Sequence, residues 1–207
     1  MDLKNTRTEY EREELNIKDL NPSPTKQLES WLDDAKSISK YFNAATLSTV
    51  ENKDQPNSRI ILAKDIHEDS LVFYTNYHSA KGKQIDINSN VSILFFWPEL
   101  DRQIRIQGVA EKISREDSES YFKMRPIESQ ISAIASQQSE EVTKEELNKR
   151  YNKIKEEDEI KCPPNWGGYI VRFKNYEFWQ GRPNRLHDRL SYKQNDKLSW
   201  VITRLAP

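Results

Sequence analysis

Short runs rich in β-branched and aromatic residues, each closed by a polar turn, recur along most of this chain and constrain its fold more than any other feature. Residues 45–50, 59–64 and 71–75 are such runs, with Asn, Asp and Pro between them. Each is too short for an amphipathic helix, and strands joined by so few residues pair with their sequence neighbours, which predicts an antiparallel meander. Residues 91–97 form a continuous apolar run, the pattern of a strand buried on both faces, and residues 102–111 alternate over their first half as its hairpin partner. Gly108 there marks a bulge or a close approach to a ligand. Residues 166–173 and 176–179 read as two further strands, and residues 198–205 close the sheet.

Helices punctuate these strands. Ser23 before Pro24 is an N-cap followed by proline at the first helical position, and Leu28, Trp31, Leu32, Ala35, Ile38 and Phe42 follow at helical spacing. Ser79 caps a short helix carrying Lys81 and Lys83, so a hydroxyl, free backbone N–H groups and an ammonium come together as a phosphate cradle; the alternative is a plain strand-to-helix corner. Ser114 opens another helix on which Tyr121 and Arg125, four apart, share a face. Pro126 then starts a segment containing Ser129, so these three donors form a second candidate anion site, or an ordinary exposed Tyr-Arg pair. Residues 136–139 make a polar link, and Thr143 caps a peripheral helix with Leu147, Tyr151 and Ile154 on one side.

The bulk numbers set limits. At 207 residues a single domain is expected over residues 23–207, behind a highly charged arm, residues 1–22, that reads as mobile. The net charge of −1 gives no global field for a polyanion, so no nucleic-acid partner is expected and any phosphate recognition is local. Cys162, the single cysteine, has no disulfide partner and no Cys or His at metal-ligand spacing, so no metal is expected. The N-terminus lacks an apolar leader and the longest apolar run is too short to span a bilayer, which predicts a cytoplasmic protein without membrane contact.

Residues 179–189 pack three arginines, a histidine, an aspartate and an indole into one stretch. In an extended segment Arg185, His187 and Arg189 leave one face, with Leu186 and Asp188 opposite. A guanidinium beside an imidazole suits a planar, anionic ligand, although a solvated, salt-bridged turn reads equally well from spacing alone. Arg59 and Lys64 lie at opposite ends of one predicted strand, so parity sends them to different faces unless a bulge intervenes.

Trp179-Gln180-Gly181, then Arg185-Leu186-His187-Asp188-Arg189, with the chain ending Arg204-Leu205-Ala206-Pro207, closely resembles the C-terminal signature of the pyridoxamine 5'-phosphate oxidase family. Weaker matches extend the resemblance back to Arg7. It implies an α+β, mainly β fold, the antiparallel FMN-binding split β-barrel with peripheral helices, working as a homodimer with shared active sites. The implied reaction oxidises pyridoxamine or pyridoxine 5'-phosphate to pyridoxal 5'-phosphate with dioxygen, releasing hydrogen peroxide. Carried over, FMN would contact Arg59, Ile60, Ile61, Leu62, Ala63 and Lys64 on one strand, and Tyr74, Thr75, Ser79 and Lys81 around the cradle. Gln103, Gln138, Ser139, Trp179 and Arg189 complete that set. Lys64, Tyr121, Arg125 and Ser129 would hold the substrate phosphate, Arg185 and His187 the reacting ring as catalytic residues, and Arg7 and Tyr10 would fold over it. Ala80 departs from the pattern, since the family usually has a basic residue there. The rival readings are a phenazine-biosynthesis type of FMN split-barrel oxidase and a non-catalytic flavin, haem or pyridoxal-phosphate binding protein.

Overall fold

The computed structural model describes residues 1, 3–5, 9–51 and 54–207. Among them nine strands form one antiparallel sheet: β1 (Ala44–Glu51), β2 (Gln55–Leu62), β3 (Asp65–His67), β4 (Ser70–Asn76), β5 (Asn90–Trp97), β6 (Arg102–Lys112), β7 (Trp166–Gln180), β8 (Asp188–Gln194) and β9 (Trp200–Leu205). The hydrogen-bonded order is β2-β1-β5-β6-β7-β4-β3, with β8 on β7 and β9 on β8, so the path does not close on itself.

β7 organises this sheet. The two strands expected from the sequence are one, paired with β6 along one edge. Its other edge is shared: residues 166–172 pair with β4 and residues 175–180 with β8. Between those halves the register shifts, Gln107 facing Asn175 but Gly108 facing Phe173, so Lys174 is the extra residue of a bulge. A bulge bends its strand, which lets one edge pass from one neighbour to the next. Gly108 serves the close approach: a Cβ there would lie 2.3 Å from the Arg172 carbonyl oxygen.

The core lies on one face of the sheet, where Leu47, Phe73, Ile93, Phe95, Ile104, Val171, Phe178 and Leu190 are wholly buried. Helix α1 (Pro24–Lys36) covers it with Leu28, Trp31, Leu32 and Ala35, and Trp31 meets Phe178 edge-on at 5.1 Å. Ser23 caps this helix, accepting from the Lys26 N–H, with Pro24 at its start as expected. The helix stops at Lys36, before the end of the apolar periodicity: Ile38 is exposed and Phe42 packs on the core from the following turn. Strand β5 also departs from expectation. Val91, Ile93, Phe95 and Trp97 are buried, but Ser92 and Leu94 are only half-buried and Phe96 is 52% exposed, so among the described residues the outer face of this strand is incompletely covered.

The N-terminal arm, expected to be mobile, is anchored along residues 10–21. Leu15 and Leu20 join the core; Leu15 N–H donates to Asp188, Arg204 donates to the Leu15 carbonyl, and Tyr192 donates to that of Asn21. High charge masks the two leucines that anchor this segment, and Tyr10, expected over the substrate, packs against Trp179 and His187. Arg7 lies outside the described residues. The remaining helices are α2 (Ala80–Ile87), α3 (Arg115–Met124), α4 (Ile127–Ala135) and α5 (Lys144–Lys155), the last two sharing a small apolar cluster of Ile131, Ala135 and Ile154. Among the described residues no helix is long and apolar enough to cross a membrane.

Because backbone, not a flexible side chain, faces Gly108, Gly108→Ala should strain the β6–β7 pairing. We expect a loss of about 1–3 kcal/mol, the usual range for overpacking, read as a lower urea midpoint at unchanged slope. An unaltered midpoint would show that the bulge absorbs the methyl group.

Candidate active site

A cavity of about 700 Å³ opens between the ends of β2 and β4, α2, α3 and α4. Its polar lining includes Lys64, Tyr74, Thr75, Lys81, Tyr121, Arg125, Ser129 and Gln138. That volume is typical of a small-molecule site. Ile60, Ile61 and Leu62 also line it, whereas Arg59 points elsewhere, donating to Thr49 Oγ1 at 2.5 Å and Gln84 Oε1 at 3.1 Å. Lys64 does line the cavity, but strand parity is not the reason: β2 ends at Leu62, two residues short of the strand expected from the sequence, and Lys64 lies beyond it. Ala63 is buried in the core.

Lys81 is the strongest electrostatic feature of one wall. Its ammonium is buried and donates to Thr75 Oγ1 at 3.2 Å and Ser79 Oγ at 3.4 Å, both neutral acceptors. Burial, helped by the charge of Arg59, lowers its pKa to about 8. Thr75 in turn donates to Gln138 Oε1, fixing the polar link of residues 136–139 against β4. Ser79 caps α2 as expected, accepting from the Gly82 N–H at 3.4 Å. Ala80 N–H donates to Ser139 Oγ at 3.2 Å, with Ser139 in the left-handed region at φ 78°. A cation without a carboxylate, beside a capped helix start, is chemistry for an anion.

The opposite wall corrects the helical reading of Tyr121 and Arg125. Helix α3 ends at Met124 and Arg125 is extended, φ −72° and ψ 150°, because a residue before proline is pushed out of the helical region. The two side chains still reach the same cavity, joined by Ser129 from the first turn of α4. Tyr121 stacks on Tyr74 with ring centres 3.8 Å apart, and the Arg125 guanidinium lies 4.7 Å over the Trp166 ring. Arg125 Nη1 is buried and has no hydrogen-bond partner among the described residues. Burial also lowers the Arg125 pKa. An orphaned guanidinium nitrogen at a cavity wall calls for an acceptor from outside the chain.

The residues near the C-terminus form a separate group. Gln103, Trp179 and Arg189 face each other across β6, β7 and β8, one rung on the outer face. Arg189 is held by Glu177 Oε1 at 2.9 Å and by the Ala206 carbonyl at 2.8 Å. Glu177 is buried, which pushes its carboxyl up, but its bonds to Arg189 and Arg105 outweigh burial and hold it below the usual range. Arg185 and His187 do not stand in an extended strand with Arg189. Residues Pro183–Arg185 form a tight turn with Asn184 and Arg185 at φ 58° and 61°, and β8 begins only at Asp188. Pro183, with no N–H to pair, favours that turn over a strand.

Arg185 is exposed at the turn, while His187 sits among aromatics, 4.7 Å from Trp179 and 5.3 Å from Tyr10 between ring centres. His187 Nδ1 accepts from the Arg182 N–H at 3.1 Å, which leaves Nε2 to carry the proton. Burial and then the charge of Arg185 lower its pKa, favouring that neutral ring. Gly181 lets Tyr10 close down, since a Cβ there would lie 2.6 Å from the tyrosine ring. Asp188, read from sequence only as facing away, is a buried hub: it takes Leu15 N–H at 2.9 Å, Arg204, and Arg182 Nε at 3.5 Å.

One chain thus brings together two partial sites and does not join them. Gln103, Trp179, Arg185, His187 and Arg189 do not line the cavity. Trp166 and Trp179 lie near opposite ends of β7, roughly 40 Å apart along the strand at about 3.3 Å per residue. Sequence reasoning missed Trp166, Glu177 and Gln84. For Glu177 a signal existed, an acid amid the aromatics of a buried strand; for the other two only tertiary contact reveals the role.

The Lys81 ammonium binds an anion only while protonated. In the free protein it loses its proton as pH rises through about 8. Affinity of this wall for inorganic phosphate should therefore be flat below that pH and fall by up to about tenfold per unit above it, until the higher pKa of the bound state is reached. Calorimetric titrations from neutral to alkaline pH check this, and a Lys81→Met variant should bind weakly with a flat profile.

Comparison with known proteins accords with this architecture. Residues 32–155 match the family described as Pyridoxamine 5'-phosphate oxidase, and residues 166–207 match the Pyridoxine 5'-phosphate oxidase C-terminal dimerisation region. A pyridoxine/pyridoxamine 5'-phosphate oxidase of Bordetella pertussis is 42% identical over 210 residues, covering 100% of both chains. One of Cytophaga hutchinsonii is 44% identical over 211 residues, covering 99% of this chain and 98% of the relative. Among solved structures, PhzG from Burkholderia lata 383 in complex with tetrahydrophenazine-1-carboxylic acid superposes with a TM-score of 0.88 at 26% identity, covering 97% of this chain and 100% of that one. A pyridoxamine 5'-phosphate oxidase-related, FMN binding protein from Nostoc punctiforme shares the fold, with a TM-score of 0.74 at 19% identity over 94% of this chain and 100% of the other. The expected split-barrel fold holds, and with both segments matched and full-length relatives this similar, the chain belongs to the pyridoxine/pyridoxamine 5'-phosphate oxidase family.

Proposed function

We propose that this oxidoreductase converts pyridoxamine 5'-phosphate and pyridoxine 5'-phosphate to pyridoxal 5'-phosphate, using FMN and dioxygen and releasing hydrogen peroxide. The observation that carries this reading is two cations on facing walls of one cavity with no carboxylate partner among the described residues, Lys81 on one wall and Arg125, with its orphaned Nη1, on the other. Two phosphates, one from cofactor and one from substrate, would satisfy both. Lys81, Thr75, Ser79, Gln138 and Ser139 would hold FMN with the strand of Arg59 to Lys64 and Tyr74; Lys64, Tyr121, Arg125 and Ser129 would hold the substrate phosphate.

The site is completed, in this reading, by a second copy of the chain. The turn bearing Arg185 and His187, with Tyr10, Gln103, Trp179 and Arg189 beside it, would approach the cavity of the other protomer in a homodimer. The exposed Phe96, Ile60 and Leu62 and the match of residues 166–207 to a dimerisation region support this arrangement.

FMN, held by the residues named above, would supply the acceptor for a hydride from substrate C4', with dioxygen as the final electron acceptor. The amine substrate then needs one water and releases ammonia, whereas the alcohol needs none. The protein's part is orientation. His187, with Nδ1 occupied and Nε2 protonated, is a hydrogen-bond donor and not a base, and Arg185 offers a second donor to the ring. The likeness to PhzG keeps a phenazine-type oxidation as the second reading; a substrate lacking a phosphate would leave Arg125 Nη1 unsatisfied.

Peroxide release by FMN-loaded protein with pyridoxamine 5'-phosphate tests the reaction, and its absence with a bound flavin would overturn it. Arg125→Ala should raise KM roughly ten- to a hundredfold by removing a charged hydrogen bond, with FMN binding little changed. Arg185→Leu should slow anaerobic flavin reduction on the order of a hundredfold while FMN stays bound. The two variants, co-expressed, should regain about a quarter of normal activity, because roughly half of the dimers are mixed and each has one intact site. No regain above the separate variants would refute the shared site.

A further inference from the structure

Arg125 is set apart from most arginines of this chain by what lies behind it. Arg102, Arg105, Arg172, Arg189 and Arg204 each pair with a carboxylate, and Arg125 is absent from the ion pairs among the described residues. Its support is aromatic: the guanidinium lies 4.7 Å over Trp166 and 5.7 Å from Phe122. Trp166 is itself immobilised. Only 5% exposed, it receives Phe122 edge-on at 5.1 Å, and the loop before it is gripped by Arg115, which donates to the carbonyls of Cys162, Pro163 and Trp166. Arg115 begins α3 and Arg125 follows its end, so the indole is clamped from both ends of one helix.

A carboxylate under Arg125 would fix it equally well but would consume its N–H groups and cancel its charge. An indole face attracts the cation through the ring quadrupole and leaves the in-plane N–H edge free. We propose that Trp166 is the positioning residue of the phosphate site: it holds the Arg125 guanidinium over its ring face at the cavity wall without neutralising it, and so sets the preference for phosphorylated over unphosphorylated substrates. This rests on the function proposed above for the same cavity, but phosphate binding tests it separately from turnover.

The test uses FMN-loaded protein with inorganic phosphate as the probe, followed by calorimetry, and then both pyridoxamine 5'-phosphate and pyridoxamine as substrates. Trp166→Leu should weaken phosphate binding and raise KM for the phosphorylated substrate roughly three- to thirtyfold, the span of a cation-π contact from exposed to desolvated. Maximal turnover and the kinetics with pyridoxamine should stay within about twofold. In an Arg125→Ala background the same change should have no further effect, since the two residues act as one unit. Should Trp166→Leu not fold, progressively fluorinated tryptophans placed at position 166 keep the shape while draining the ring face, and phosphate affinity should fall with each fluorine. Affinity indifferent to fluorination, or equal losses with and without Arg125, would overturn the proposal. A protein that binds phosphate in this Trp166-dependent way but does not oxidise pyridoxamine 5'-phosphate would retain the platform and sink only the reaction.

Discussion

The structure depends on one strand having two different neighbours along the same edge. β7 gives its first half to β4 and its second to β8, and the extra residue at Lys174 makes the change of partner geometrically possible. Two sheet lobes therefore share a continuous backbone, and whatever is fixed at one end of the strand is referred to the other. The cavity wall grows from its start, at Trp166, and the aromatic face of the C-terminal turn from its end, at Trp179. Nothing shorter would carry both.

Charge is then divided between scaffold and site. Glu177 and Asp188 are buried acids: Glu177 is flanked by Arg105 of β6 and Arg189 of β8, and Asp188 by Arg204 of β9 and Arg182 of the turn before β8, so removing an arginine leaves a buried carboxylate short of its partner. They fix β6, β8, β9 and the arm relative to one another. The cavity follows the opposite rule: among the described residues Lys81 has hydroxyl partners and Arg125 aromatic ones, the indole of Trp166 foremost. A chain with a net charge of −1 thus concentrates positive potential by withholding acids from one place.

Local rules made much of this legible. Ser23, Ser79, Ser114 and Thr143 are all helix caps in the structure, since a cap needs only its own segment, and the alternation in residues 102–111 and the glycine at 108 located β6 and its irregularity. The failures occurred where a second signal overrode the first. Arg125 sits at helical spacing from Tyr121, but Pro126 decides its conformation. Arg185 and His187 sit at strand spacing, but Pro183 sets a turn. Trp166 was invisible for a different reason: its partner Arg125 is 41 residues away, and no short window along the chain contains both, whereas Glu177 left a signal as an acid amid buried aromatics although its partner Arg105 is 72 residues off.

The anchoring of the arm has a consequence for the order in which the molecule assembles. Leu15 is held by Asp188 and Arg204, separations of 173 and 189 residues, and Asn21 by Tyr192, a separation of 171. During synthesis the arm leaves the ribosome well before β8 and β9, and it has no place to dock until those strands have emerged. Its two leucines remain in water through most of translation, and the loop they close is among the longest the chain offers. Seating of the arm is therefore a late, whole-chain event: a nascent or C-terminally truncated protein has its sheet neighbours available but not the bolt that fastens beginning to end.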